Sequence, residues 1–214
     1  MRAGQDNRAK RKFLCFNNSM ENFLYLAEQN QQAAWKIIKE LDIENIWRNT
    51  GAEINLVGSL KMGLLMKHLD IDFHVYSEQL SISESFKAIL KISKNPKVKS
   101  FWFKNLLNTD ENCLEWHLIY TDENGHDWQI DIIHMSLNSK YHGYFENVAD
   151  RINGFLTDEI RQTILRLKYE TPDDLKIAGI EYYRAVISDC IKSYEDFINW
   201  RGKNSLDGID LWCP

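Results

Sequence analysis

The chain of 214 residues has little proline and glycine, with only three Pro and ten Gly. This composition excludes a collagen-like chain and a Pro/Gly-rich disordered chain. The four cysteines, Cys15, Cys113, Cys190 and Cys213, lie far apart and form no CxxC pair. Such spacing is typical of neither a structural zinc site nor a dense disulfide framework, so we expect reduced thiols in a cytoplasmic protein.

The sequence also lacks long apolar runs and a net positive charge. Its most apolar stretch, residues 54–66, is short and contains Asn55, Ser59 and Lys61, so no membrane span is predicted. The basic N-terminal residues lead into no apolar segment of the kind that a signal peptide requires. A net charge of −5 argues against a generally basic nucleic-acid-binding protein.

One segment departs from this acidic balance. Residues 87–104 contain six lysines and no aspartate or glutamate. Such a segment is often a solvated surface, and it can also receive a polyanion. Both interpretations remain open from the sequence.

Apolar residues make up 44% of the chain, which is enough for a core. Hydrophobic alternation and turn signals predict strands near residues 53–57, 69–76, 98–104, 113–121 and 126–135. Helices are predicted from Asn18 or Ser19 to about Glu40, over 60–68, over 81–93, over 157–170 and from Thr171 onward. We therefore expect an α/β (α+β) fold with a mixed sheet flanked by helices over residues 1–150, followed by a C-terminal helical segment over 151–214.

Three acidic residues stand out on the predicted strands. Asp70 and Asp72 share one face of their strand because side chains alternate with a period of two. Asp131 lies in the middle of a later, strongly apolar strand, Gly58-Ser59 ends the strand before Asp70, and we expect the three carboxylates to converge. Asp131 also fits a buried acid in an ion pair, and Gly58-Ser59 also fits an ordinary strand-to-helix turn.

These residue types together suit the chemistry of phosphate transfer. Neighbouring carboxylates repel each other and are costly to bury unless divalent metal ions neutralise them. Two Mg²⁺ ions (or Mn²⁺) can activate an attacking hydroxyl and stabilise a leaving oxygen. Backbone N–H groups at the Gly58-Ser59 turn could bind a triphosphate.

The motif resembles that of the DNA polymerase beta-like nucleotidyltransferases, in particular the small bacterial type. The matching stretch runs from Val57-Gly58-Ser59 through Gly63 to Asp70-Ile-Asp72, with Asp131 as the third acid. The resemblance implies a nucleotidyltransferase-like catalytic domain over residues 1–150. It also implies that Asp70 and Asp72 hold both metal ions and that Asp131 helps to hold the one that activates the acceptor.

The chain departs from the family pattern at Met62 and Leu69, where that family often has Arg and Ser. The phosphate contacts are therefore assigned to Gly58, Ser59 and Lys61, with Lys67 as an alternative to Lys61. We expect the helical segment, including Lys168 and Tyr183, to form the acceptor side.

The resemblance implies a transferase that moves a nucleoside monophosphate from an NTP, such as ATP, to an acceptor hydroxyl and releases pyrophosphate. The acceptor could be a small molecule, a protein or RNA, and the acidic net charge favours the first two. Two alternatives remain: a non-catalytic nucleotide-binding or partner-binding module of the same fold, and a metal-dependent phosphodiesterase. His74 and His134 are expected to serve in packing rather than as metal ligands.

Overall fold

The computed structural model describes residues 3–204 and 211–214, with side chains from residue 22 onward in these ranges. The helices are α1 (Ala3–Glu40), α2 (Ile43–Arg48), α3 (Gly58–Lys61), α4 (Ile82–Ile92), α5 (Tyr144–Phe155), α6 (Asp158–Glu170), α7 (Gly179–Ile187) and α8 (Tyr194–Arg201). The strands are β1 (Glu53–Val57), β2 (Asp70–Ser77), β3 (Val98–Asn105), β4 (Cys113–Thr121) and β5 (Asp127–Ser136).

The five strands form one mixed sheet in the order β1-β2-β5-β4-β3. Strands β2 and β5 are parallel, and the other neighbouring pairs are antiparallel. The expected mixed sheet with flanking helices and C-terminal helices is confirmed.

One face of the sheet is apolar and lies in the core beneath α2, α4 and the second half of α1. Alternate residues of each strand point into this core, which is why β2, β4 and β5 alternate in hydrophobicity. The buried set includes Ile71, Phe73, Val75, Trp116, Leu118, Tyr120, Ile130 and Ile132. The opposite face carries the acidic residues.

A second apolar core joins α5–α8 to residues 62–66 and to the part of α1 near Phe23. Helix α1 therefore contributes to both cores, and α5 runs across residue 150. The division of the chain into residues 1–150 and 151–214 stays a prediction.

Several predicted element boundaries were wrong. Helix α1 begins at Ala3 rather than at Asn18 or Ser19, and the helix expected over residues 60–68 is confined to Gly58–Lys61. No helix begins at Thr171 in the described chain, because the buried Thr171 hydroxyl donates to the carbonyl of Leu167 at 2.8 Å, at the end of α6. The short α2 and the helix α5 were not predicted.

Among the described residues, no helix is both long enough and apolar enough to cross a bilayer.

Candidate active site

The site is organised by the turn between β1 and α3. Gly58 has a φ of +70°, and a Cβ atom on it would lie 2.0 Å from Oδ2 of Asp72. Only glycine has both the conformational freedom and the missing side chain that this position needs. The backbone of the Gly58-Ser59 turn therefore packs directly against the Asp72 carboxylate.

The three predicted acidic residues lie on neighbouring strands of the same sheet face. Asp70 and Asp72 belong to β2, and Asp131 belongs to β5, where it is the register partner of Asp72. Side chains at paired positions of adjacent strands project to the same face, about 5 Å apart. The structure thus places all three acids on the face that we predicted.

Burial and mutual repulsion disfavour the charged forms of these acids. Burial, followed by the charge of Asp131, raises the pKa of Asp70. Burial, followed by the charges of Asp70 and Asp131, raises the pKa of Asp72 to about 8. Both shifts are in the direction expected of carboxylates that share a site without a cation beside them.

The Asp131 carboxylate is held by neighbouring side chains rather than by the other two acids. Its Oδ1 atom lies 2.8 Å from Nδ1 of His117, and Nε2 of Gln129 donates to its two oxygens at 3.0 and 2.9 Å. Asp131 is thereby turned toward β4.

This orientation limits how closely the carboxylate oxygens approach one another. Within residues 22–204 and 211–214, three potential metal-ligand atoms lie within 4.8 Å of one another in one group, which belongs to Glu111, Cys113 and Glu115. The three aspartates do not form such a group. The predicted register and sheet face are observed, and the convergence of the three carboxylates on a common point stays a prediction. The donor set itself fits Mg²⁺, which prefers carboxylate oxygens, and Asp70 and Asp72 both face open space.

That space is a cavity of about 600 Å³ between the sheet and the C-terminal helices. Gly58, Ser59, Asp70 and Asp72 line one side. The opposite side is formed by the helical segment and the loop before α7, with Lys168, Lys176 and Tyr183. The helical segment, which we expect to form the acceptor side, thus lines the same cavity as the Gly58-Ser59 turn.

Lys168 is a half-buried cation that lines the cavity, and the charges of Asp70 and Asp72 both act on it. Its ammonium donates to the carbonyl of Leu64 at 2.7 Å and lies 5.7 Å from the centre of the Tyr183 ring. Burial lowers the pKa of Lys168 to about 8. Lys168 follows buried Ile164 by one helical turn, so a charge on an apolar helix face was the signal for this role.

The other residues predicted to bind phosphate lie elsewhere. Lys61 forms an ion pair with Asp150 at 2.9 Å, and Lys67 pairs with Asp173 at 2.6 Å while donating to the carbonyl of Thr171. Among the described residues, the cavity lining includes neither Lys61 nor Lys67. A phosphate contact by Lys61 stays a prediction.

The two histidines differ in their surroundings. His134 is buried on the apolar side, 2.8 Å from Oγ of Ser77 and edge-on to Trp47, which is the packing role that we predicted. His74 lines the cavity and packs edge-on against Phe145, and burial lowers its pKa to about 4.

Half of the lysines in residues 87–104 lie in ion pairs. Lys87 pairs with Glu84, Lys97 pairs with Glu40 and Glu123, and Lys104 pairs with Glu115. Much of the positive charge of this segment is therefore locally balanced.

No family model and no curated protein matches the chain. Its fold is similar to that of Cid1, an RNA terminal uridylyl transferase, with 14% identity, a TM-score of 0.52, and coverage of 78% of this chain and 52% of Cid1. The Cid1 poly(U) polymerase with MgGTP bound gives 16% identity, a TM-score of 0.52, and coverage of 77% and 55%. GLD-2 in its complex with RNP-8 gives 11% identity, a TM-score of 0.54, and coverage of 89% and 73%.

The chain spans about half the length of the Cid1 chains that it matches. At these identities the similarity concerns the fold alone. The mixed five-stranded sheet with flanking and C-terminal helices is a nucleotidyltransferase-like fold.

Proposed function

We propose that this protein binds a nucleoside triphosphate with Mg²⁺ in the cavity and transfers the nucleoside monophosphate to an acceptor hydroxyl, releasing pyrophosphate. The observation that carries the proposal is the pair of half-buried aspartates, Asp70 and Asp72, which line one cavity together with the Gly58-Ser59 turn and Lys168. We also retain the small bacterial type within the DNA polymerase beta-like superfamily as our expectation from the motif.

Each residue has a distinct role in the proposed reaction. Asp70 and Asp72 would hold two Mg²⁺ ions, or Mn²⁺, and Asp131 would help to hold the one on the acceptor side. The bound metal would neutralise the phosphate charge and lower the pKa of the attacking hydroxyl. Gly58 and Ser59 would donate hydrogen bonds to the triphosphate.

The helical segment supplies positive charge on the other side of the cavity. Lys168 and Lys176 both line it, and a triphosphate between them and the metal-binding acids would be neutralised from two sides. Tyr183 is buried on the same wall, and its ring lies beneath the Lys168 ammonium, which it would help to position.

A non-catalytic nucleotide-binding module is the second candidate. The observation that favours it is the orientation of Asp131, whose two oxygens are occupied by His117 and Gln129. If Asp131 kept this orientation with nucleotide bound, the NTP would bind without transfer.

Turnover distinguishes the two candidates. Each of the four NTPs, labelled at the α-phosphate, is incubated with Mg²⁺ and with an oligonucleotide, a polyhydroxyl small molecule or the protein alone, while pyrophosphate release and labelled products are followed. The transferase predicts a labelled acceptor and pyrophosphate in equal amounts. Binding of an NTP with neither product would favour the non-catalytic module.

A matched pair of variants makes the assay specific to the site. Asp131→Asn should abolish transfer, whereas Asp127→Asn, on the same strand and the same sheet face, should retain it. Asp127 is exposed and accepts a hydrogen bond from Thr121 at the far end of the strand.

A further inference from the structure

A row of four side chains crosses the sheet from the cavity to its open edge. Asp72 on β2 is the register partner of Asp131 on β5, Asp131 is the partner of His117 on β4, and His117 is the partner of Trp102 on β3. Register partners on adjacent strands project to the same face, so the row continues the candidate active site in one direction.

The beginning of this row is enclosed, and its end is open. Asp72 lies in the cavity beneath the helical segment, whereas Trp102 is 43% exposed. Because the C-terminal helices line the cavity where the NTP phosphates are proposed to bind, the side of Asp131 that is away from that cavity is the open face of β4 and β3. In-line displacement requires the acceptor to enter on the side opposite the leaving pyrophosphate.

Trp102 is held as a flat platform at this position. Its ring stacks on that of His117 with a centroid distance of 5.0 Å and an interplanar angle of 19°. His117 is in turn fixed by Asp131 at 2.8 Å and by Glu115 at 3.4 Å. One ring face of Trp102 is thus covered by His117, and its exposure leaves the other available to a ligand.

Two lysines of β3, the strand that carries Trp102, keep exposed side chains. Lys99 donates to the carbonyl of Pro96, and Lys104 pairs with Glu115 at 2.8 Å while its side chain stays 55% exposed. An exposed aromatic ring on a strand with exposed lysines is an arrangement that binds a stacked base and its phosphate.

We infer that Trp102 is the acceptor-binding residue of this protein and that it stacks a nucleobase of an acceptor whose sugar hydroxyl reaches Asp131. This inference rests on the proposed function, since it assigns the acceptor of that same site. Trp102 lies two strand spacings from Asp131, about 10 Å, which is a nucleotide-sized distance. The chemistry fits both a free nucleotide and the end of a single-stranded oligonucleotide.

The inference is tested by acceptor binding in the absence of NTP. A fluorescently labelled single-stranded oligonucleotide is titrated with the full chain, and the anisotropy is recorded for the wild type, Trp102→Ala and Trp102→Phe. We expect Trp102→Ala to weaken binding at least about fivefold, and Trp102→Phe to restore most of it. Unlabelled nucleoside monophosphate, added as competitor, distinguishes a free nucleotide from an oligonucleotide end.

The neighbouring residue provides the matched control. Phe101 is 44% exposed on the same strand, but it packs toward Trp116 on the opposite sheet face. Phe101→Ala should leave oligonucleotide binding unchanged. Equal weakening by both alanine variants, or no weakening by Trp102→Ala, would overturn the inference.

A parallel titration with Mg·NTP separates this inference from the proposed function. Trp102→Ala should bind NTP as the wild type does, because Trp102 lies outside the cavity. If the wild type bound no NTP, the proposed function would be contradicted. The acceptor inference would still be decided by the oligonucleotide titration. Failure of both oligonucleotide and monophosphate to bind the wild type would contradict the acceptor inference alone.

Discussion

At the scale of single residues, the half-buried acids of β2 are the feature that most needs a functional reason. Asp70 and Asp72 lie side by side in a site where burial raises the pKa of both. A carboxylate pair in such surroundings costs stability. This cost in stability has a functional reason if the two residues bind metal ions. The Asp72→Asn variant measures the cost.

Asp72→Asn should raise the free energy of unfolding of the metal-free protein by about 1 kcal/mol, since it removes a half-buried carboxylate and its repulsion with Asp70 and Asp131. Denaturant unfolding in the presence of a chelator measures this change. Asp127→Asn, at an exposed position, should have almost no effect. A marked loss of stability in Asp72→Asn would mean that Asp72 is a structural ion-pair member.

His134 gives a prediction about acid stability. It is 1% exposed, and burial lowers its pKa to about 4. Between that pKa and the usual value near 6.5 the unfolded chain binds more protons than the folded protein, so stability falls as the pH falls. At pH 5 the loss from this residue is about 2 kcal/mol relative to pH 7.5.

His134→Gln should remove that part of the pH dependence, because glutamine stays neutral and can still bond to Ser77. The measurement is denaturant unfolding of both proteins at pH 7.5 and pH 5. His126→Gln, which changes an exposed histidine, should keep the wild-type loss. Equal losses in the wild type and His134→Gln would show that His134 takes up its proton in the folded state.

At the scale of secondary-structure elements, the turn between β1 and α3 determines the geometry of the site. Gly51 and Gly58 both have a positive φ, +80° and +70°. A Cβ on Gly51 would meet nothing within 4 Å, whereas one on Gly58 would meet the Asp72 carboxylate. The two glycines therefore separate the cost of backbone strain from the cost of a clash.

Gly51→Ala should cost about 1–2 kcal/mol for the left-handed conformation, and Gly58→Ala should cost clearly more. Gly58→Ala should also lose Mg·NTP binding, because its methyl group displaces Asp72. Melting temperatures and NTP titrations of the two variants measure these effects. Equal behaviour of the two variants would contradict the close packing of Gly58 on Asp72.

The strands and the acids could be predicted because their signals are local. Alternation placed Asp70 and Asp72 on one face, and the apolar run around Asp131 indicated an internal strand, as observed. The contribution of Lys168 could not be predicted with the same certainty, because it depends on how α6 packs over the sheet. The orientation of Asp131 also could not be predicted from the sequence, because only the pairing of β4 with β5 brings His117 beside it.

Thr171-Pro172 shows why a local signal can fail. The residues fit an N-cap and a first helical position, yet the Thr171 hydroxyl lies 2.8 Å from that of Tyr182 on α7 and bonds back to α6. A tertiary contact thus replaced the local cap that the sequence favoured.

At the scale of the whole molecule, the two parts of the cavity are held together by cations of α6 that bond to backbone carbonyls. Arg161 donates to the carbonyls of Met62 and Gly63 at 3.0 and 2.8 Å, and Lys168 donates to that of Leu64. The segment that follows α3 is thereby tied to the helices on the other side of the cavity.

Arg161→Met should lower the free energy of unfolding by about 2 kcal/mol, because charge-assisted hydrogen bonds to two backbone carbonyls are lost. It should also weaken Mg·NTP binding, since the cavity walls are no longer held at their spacing. Gln162→Met, at an exposed position of the same helix, is the control. Unchanged stability and affinity in Arg161→Met would show that α6 is positioned by apolar packing alone.

The central claim is that Asp70 and Asp72 form a metal-dependent NTP site, and calorimetry tests it most directly. Each NTP is titrated with and without Mg²⁺ into the wild type, Asp72→Asn and Asp127→Asn. We predict binding that requires Mg²⁺ in the wild type and in Asp127→Asn, and none in Asp72→Asn. The absence of Mg²⁺-dependent binding of any NTP to the wild type, or equal affinity in Asp72→Asn, would contradict the account.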